Sequence, residues 1–160
     1  MNFDITEEQE MVRDTFARFL DDHSSTARVR KANEAGGFDP EMWRGLAELG
    51  AFAMRVPEEA GGMGMGLFDA ALLMAEGGRT LVSGPLAEAL VAARLLGQLG
   101  GDAGADMLGK ALGGEALVSL ALHDIAQRPL QWIGGGAAAQ AVVARKGDAV
   151  VLIAVPQAAR

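Results

Sequence analysis

The sequence predicts a mainly α protein: an amino-terminal α-helical bundle over residues 1–114, followed by a few antiparallel β-strands of a partial β-domain over residues 115–160. Three observations predict it. Apolar residues recur at helical spacing through the first two-thirds of the chain, behind N-cap signals. Glycine or proline stands at the joints between these segments. After Gly113-Gly114 the pattern changes to short β-branched runs.

Each element has its own justification. Thr6-Glu7-Glu8-Gln9 reads as a capping box, with two glutamates placed to suit the helix dipole. Val12, Phe16, Phe19 and Leu20 then form one face, and the helix is expected to stop near His23-Ser24-Ser25. A short second helix runs from about Thr26 to Asn33, broken by Gly36-Gly37. Asp39-Pro40 pairs an N-cap with proline at the first helical position, and Met42, Trp43, Leu46 and Leu49 follow as a stripe closed by Gly50. Residues 51–56 form an apolar connector. A fourth helix is expected over Leu67–Glu76, a fifth from Pro85 with Leu86, Leu90, Leu96 and Leu99, and a sixth over Asp102–Leu112. Leu117–Leu122 is a strand, and Ala141–Arg145 and Ala149–Val155 form a hairpin through Lys146-Gly147-Asp148. The chain closes soon after its most hydrophobic strand. Its end reads as an interruption, because an exposed apolar edge calls for more sheet.

Composition excludes several functions. The 160 residues are half apolar and carry a net charge of −7. The first 60 hold 13 Asp and Glu against 7 Lys and Arg; the remaining 100 hold 8 against 7. An acidic chain without a basic cluster is a poor partner for nucleic acid. The absence of cysteine removes disulfides and thiolate metal sites. The acidic start argues against a secretory signal peptide, and no run of about 18 apolar residues suggests a membrane span. A cytoplasmic protein is expected.

The most specific block is Pro57-Glu58-Glu59-Ala60-Gly61-Gly62-Met63-Gly64-Met65-Gly66, which runs into an apolar helix ending Glu76-Gly77-Gly78-Arg79. A phosphate cradle of the P-loop type needs Lys-Ser or Lys-Thr after the last glycine, whereas Leu67-Phe68 follows. No register of the glycines gives the dinucleotide fingerprint. On the glycines alone, a flexible interhelical loop is the plainer reading. Ser83 and Ser119 lie in no G-x-S-x-G context, so nucleophilic hydrolysis has no support.

Read in order, that block resembles the P-E-E-x-G-G-x-G loop and E-x-G-R helix of the acyl-CoA dehydrogenases, flavoenzymes that desaturate acyl-CoA thioesters. Other segments agree. The opening Met1-Asn2-Phe3-Asp4-Ile5-Thr6-Glu7-Glu8-Gln9, the run from Phe38-Asp39 through Trp43 to Gly50, and Leu108–Glu115 all look like that family's amino-terminal helical domain. The resemblance covers essentially the whole chain and places Leu117–Leu122 at the opening of a central β-domain.

The departures matter as much. Where the family has A-L-T-E-P and then G-S-D against the flavin, this chain has Ala121-Leu122-His123-Asp124-Ile125-Ala126-Gln127. The W-x-x-[ST] strand is not recognisable, since Trp132 precedes Ile133-Gly134-Gly135. The carboxyl-terminal helical domain, which in the family supplies the catalytic glutamate, is absent from this sequence, so no residue here inherits the base.

For a complete member the resemblance implies FAD as cofactor, an acyl-CoA substrate, an electron-transfer flavoprotein-type acceptor, and a homo- or hetero-oligomer. A carboxylate removes the α-proton while the β-hydrogen leaves as hydride to the flavin. It places cofactor contacts at Leu122, His123 and Asp124, and substrate contacts at Ser83, Gly84 and Leu86. Gly84, Ala87 and Ala89 would suit a roomy pocket, as in the steroid- and bulky-acyl branch with its paired non-identical subunits. Ordinary close helix packing explains the same residues. His123-Asp124 reads equally as a solvated strand-end pair, and without a third ligand it is no metal site. No catalytic and no metal residue is assigned. The chain alone is expected neither to hold FAD nor to act on acyl-CoA, and to self-associate through Ala149–Val155. The alternative is a truncated or degenerate non-catalytic chain acting as an assembly module.

Overall fold

A computed structural model describes residues 4–156. The opening residues Met1–Phe3 of the family-like start, and the last four residues, Gln157–Arg160, lie outside the described residues.

Six helices precede three strands. The first, α1 (Glu7–His23), carries the expected capping box: Gln9 N–H donates to the Thr6 hydroxyl at 3.2 Å, and the Gln9 side chain accepts from Thr6 N–H at 3.1 Å. Phe16 and Leu20 are buried, with Val12 and Phe19 packed beside them. Ser25 caps α2 (Thr26–Glu34), which buries only Ala32. Asp39 caps α3 (Pro40–Glu48) by accepting Met42 N–H at 3.0 Å. Met42, Trp43 and Leu46 enter the core as expected, but Leu49 caps the helix and stands 37% exposed. A helix this short turns only so far before Gly50 ends it.

The connector is buried at Ala51, Phe52, Met54 and Val56 and contains a 3-10 turn over Ala51–Ala53. The glycine block is knitted onto it. Met63, Gly64 and Met65 N–H donate to the carbonyls of Ala53, Val56 and Met54 at 2.9, 2.9 and 2.7 Å. Backbone groups that would otherwise be orphaned in a loop are thereby satisfied.

Helix α4 (Leu67–Arg79) runs one turn beyond the expected Glu76. Gly77, a helix breaker by propensity, is buried here: an added Cβ would stand 3.0 Å from Leu86. Tertiary contact outweighs the roughly 1 kcal/mol propensity cost. The helix ends with Val82 N–H bonded to Gly77 C=O at 2.9 Å and Leu81 at φ +57°. Helices α1 and α4 lie side by side in the same direction. Gln9 reaches Asp69 near their starts (3.1 Å), and Arg79 reaches Asp21 near their ends (2.8 Å).

Helix α5 (Leu86–Leu99) is the centre of the molecule. Leu86, Ala89, Leu90, Ala92, Ala93 and Leu96 are all buried, against the other helices on one side and the sheet on the other. Helix α6 (Asp102–Leu112) follows, within the expected bounds.

The sheet has the order β1 (Val118–Leu120), β2 (Ala141–Lys146), β3 (Ala149–Ala154). It is mixed, which corrects the expectation of antiparallel strands. β2 and β3 form the antiparallel hairpin, with Val143 opposite Leu152, but β1 and β2 are parallel, with Ser119 opposite Val142. Residues 121–140 make the difference: a connection this long lets the chain cross back and re-enter in the same direction. That crossover also covers one face of β2. Ala141 and Val143 point into the helical core, whereas Val142 and Ala144 meet Ala121, Ile125 and Ile133. Alternation along the strand sends successive side chains to opposite faces.

Candidate functional site

The structure splits the expected site residues into two places. Ser83, Gly84 and Leu86 sit together at the α4–α5 joint. Ser83 C=O accepts Asp39 N–H at 3.2 Å. Gly84 lies over the Trp43 indole, where a Cβ would come within 2.7 Å of the ring. Leu86 is buried against Gly77. The joint is thus clamped onto the helical core, and the close-packing reading accounts for the glycine. Ala89 is buried as well, whereas Ala87 is exposed.

Cavities adjoin the joint. One of about 280 Å³ is lined by Gly84, Leu86 and Ala87 with Met74, Leu81 and Val82. Next to it, sharing Met74 and Ala87, a groove of about 290 Å³ runs between α4 and α5. Ala70 and Leu90 form its floor, Leu67, Ala71 and Val91 its exposed walls, and Arg55 and Arg94 also line it. Arg55 comes from the buried connector and donates to Met65 C=O at 2.8 Å; Arg94, on α5, donates to Arg55 C=O at 3.3 Å. Sequence reasoning missed both arginines. A signal for the walls did exist: Ala87 and Val91 are one helical turn apart on α5, as are Ala71 and Met74 to within a residue on α4. Nothing in the sequence joined Arg55 to Arg94.

Leu122, His123 and Asp124 follow β1 at the other place. The Leu122 side chain is 70% exposed, with Leu130 and Trp132 at 92% and 98% on the same crossover. His123 is held by its backbone: its N–H donates to Gln131 Oε1 at 3.0 Å, and its C=O accepts from Gln131 Nε2 at 3.1 Å. Asp124 is fully engaged. It accepts Ala126 N–H at 2.8 Å and Gly147 N–H at 3.1–3.2 Å, and these backbone donors hold its carboxyl below the usual range. It therefore ties the crossover to the β2–β3 turn. These residues offer an open apolar surface and an imidazole, suited to one edge of a large ring. They do not enclose one. Cavities of about 520, 400 and 290 Å³ are all lined by other residues.

Ion pairing explains part of the motif block. Glu76 and Arg79 pair at 2.6 Å, and the same guanidinium reaches Asp21, so the acid and base ending α4 pin it to α1. Asp39 is held by Arg28, whose two nitrogens grip its carboxylate and lower its pKa, while Glu41 flanks the pair at 3.1 Å. Among the described residues, no group of three His, Cys, Asp or Glu is placed to hold a metal, and no helix is long and apolar enough to cross a membrane.

The family described as acyl-CoA dehydrogenase, N-terminal domain, matches residues 6–117. This chain belongs to the acyl-CoA dehydrogenase family. It is similar to the acyl-CoA dehydrogenase IpdE2 of Mycolicibacterium smegmatis, with 45% identity over 51% of this chain and 27% of that protein. It is similar also to the benzylmalonyl-CoA dehydrogenase of Aromatoleum aromaticum, with 41% identity over 61% of this chain and 25% of that protein. The chain therefore spans about a quarter of the curated relatives it matches. Its fold is that of the ChsE4-ChsE5 complex from Mycobacterium tuberculosis: TM-score 0.77 and 22% identity, over 96% of this chain and 49% of that one. The matched region comprises the six helices and the connector, so the glycine block and α4 lie within the family's amino-terminal domain.

Proposed function

We propose that this chain is the amino-terminal portion of an FAD-dependent acyl-CoA dehydrogenase that desaturates the α,β bond of an acyl-CoA thioester. The observation that carries this reading is the family match over residues 6–117. The chain's contribution is one wall of the acyl pocket, formed at the α4–α5 joint by Ser83, Gly84 and Leu86. Gly84 and Leu86 set the wall by packing, and Ser83 holds it through the bond from Asp39. At the end of β1, Leu122 and His123 would hold one side of the flavin, with Asp124 fixing the turn behind them through Gly147 N–H. When bound, the flavin supplies the hydride acceptor. Leu122, exposed here, would exclude water on the side where the flavin is held, and no residue of this chain takes the substrate proton.

The name of one relative, benzylmalonyl-CoA dehydrogenase, supports a bulky, aromatic acyl group. The name of the ChsE4-ChsE5 complex supports assembly with further subunits. An electron-transfer flavoprotein-type acceptor and a cytoplasmic setting complete the proposal. Domain bounds of 1–114 and 115–160 fit the change from helices to strands.

The test uses the complete reading frame, with FAD and any paired subunit, and follows flavin absorbance as bulky acyl-CoA thioesters are added. Bleaching supports the dehydrogenase. A protein with no flavin band and no bleaching points to the second reading, an assembly module. That reading is favoured by the exposed Leu122, Leu130 and Trp132 and by the open outer edge of β3.

A further inference from the structure

We propose that the groove between α4 and α5 receives an acyl group carrying its own carboxylate, and that Arg55 and Arg94 bind that carboxylate. The inference rests on the acyl-wall reading, which it extends from the joint into the adjoining groove through the shared Met74 and Ala87, and it specifies the substrate class.

The chemistry of the groove is lopsided. Its floor and walls are alanine, leucine, methionine and valine, and its only charged lining residues are two arginines from separate elements. No Asp or Glu lines it. Arg13, Arg28, Arg79 and Arg145 each face a carboxylate within 4.0 Å; among the described residues Arg55 and Arg94 face none, as is also true of Arg18, Arg30, Arg44 and Arg128, but Arg55 and Arg94 are the two that line an apolar groove. Each guanidinium carries five N–H donors in a planar fork. The bonds to Met65 C=O and Arg55 C=O occupy one nitrogen of each and fix both side chains at the groove. Among the described residues neither guanidinium makes a further hydrogen bond. Two partly buried guanidinium groups beside an apolar trough match a molecule that is apolar along its length and anionic at one end. At about 290 Å³ the groove lies at the lower limit for a small-molecule site, which suits a medium-length acyl segment rather than a whole coenzyme thioester.

The test needs neither flavin nor turnover. The purified chain is titrated with the monomethyl ester of octanedioic acid and, separately, with its dimethyl ester, following amide shifts by NMR. The expected result is shifts on α4 and α5 around Ala71, Val91 and Arg94, with the monoester binding at least tenfold more tightly and weakening as salt rises. Arg55→Gln and Arg94→Gln should each remove most of that preference, while Arg94→Lys, which keeps the charge, should retain part of it. Circular dichroism checks that each variant is folded. Equal binding of the two esters overturns the carboxylate assignment but leaves the groove as an acyl site. No shift with either ester overturns both assignments, independently of the flavin result on the complete protein.

Discussion

The helical part and the strand part of this chain solve the burial problem differently. The helices pack around α5, and the inner face of the sheet, through Val118, Ala141 and Val143, completes their core. Each side of β2 has a neighbouring strand, but among the described residues none pairs with the outer side of β3, where Val150 and Ile153 are exposed. Ala141–Ala144 is buried on both faces, whereas the outer strand is half-buried at best. The difference teaches that stability resides in the helical part, while the strand part carries surface suited to association.

Breaking the helical core should have the largest effect. Trp43 is buried against Phe38 and Phe52, and its Nε1 has no hydrogen-bond partner. Trp43→Ala should cost about 3–5 kcal/mol in urea unfolding. Trp43→Phe should cost much less, because it also removes the unsatisfied N–H. If the alanine variant lost under 1 kcal/mol, the helical part would not be the stable one.

Overpacking the joint comes next. Gly84→Val should cost roughly 1–3 kcal/mol, since its side chain meets the Trp43 ring. The same measurement separates a structural glycine from one kept only for pocket volume, which would tolerate valine.

Acid should act through Asp39. Its carboxyl is held below its ordinary value of 3.8, first by the hydrogen bond from Arg28. A depressed carboxylate contributes stability that is full above the unfolded pKa and is lost as pH falls through the folded one. Thermal melts should therefore hold steady from pH 7 to about pH 5 and fall as the pH is lowered below the ordinary value of 3.8. Asp39→Asn should cost about 1 kcal/mol at pH 6 and show a smaller fall on acidification.

Leu81 offers a modest gain. It sits at φ +57° and is exposed. Leu81→Gly should raise stability by roughly 0.5–1 kcal/mol, as the left-handed conformation is costly for a side chain. No change on thermal denaturation would mean that the joint relieves the strain elsewhere.

The smallest stability effect belongs to the strand part. Ile153→Lys on the outer strand should alter unfolding by under about 0.5 kcal/mol yet shift gel filtration towards the monomer. An unchanged elution volume would remove the association role from this edge.

What the sequence determined by itself was local. The capping box at Thr6, the Asp39-Pro40 start and the 102–112 helix depend on residues within one turn of each other, so they were legible without a fold. Family membership was legible too, because the motif block is contiguous. The tertiary structure decided whatever depends on distant partners. Gly77 stays helical because Leu86 and Val82 cover it, and Leu49 is left outside because α3 stops short. β1 and β2 run parallel because a crossover returns the chain, and no period in a sequence encodes direction. By sequence Asp124 is a flavin contact or a solvated pair; its bonds to the backbone of Ala126 and Gly147 are visible only in the fold. Arg55 and Arg94, 39 residues apart, meet only because the connector packs under α5. Local patterns follow from backbone geometry and side-chain periodicity; pairings across the chain follow from which surfaces exclude water together.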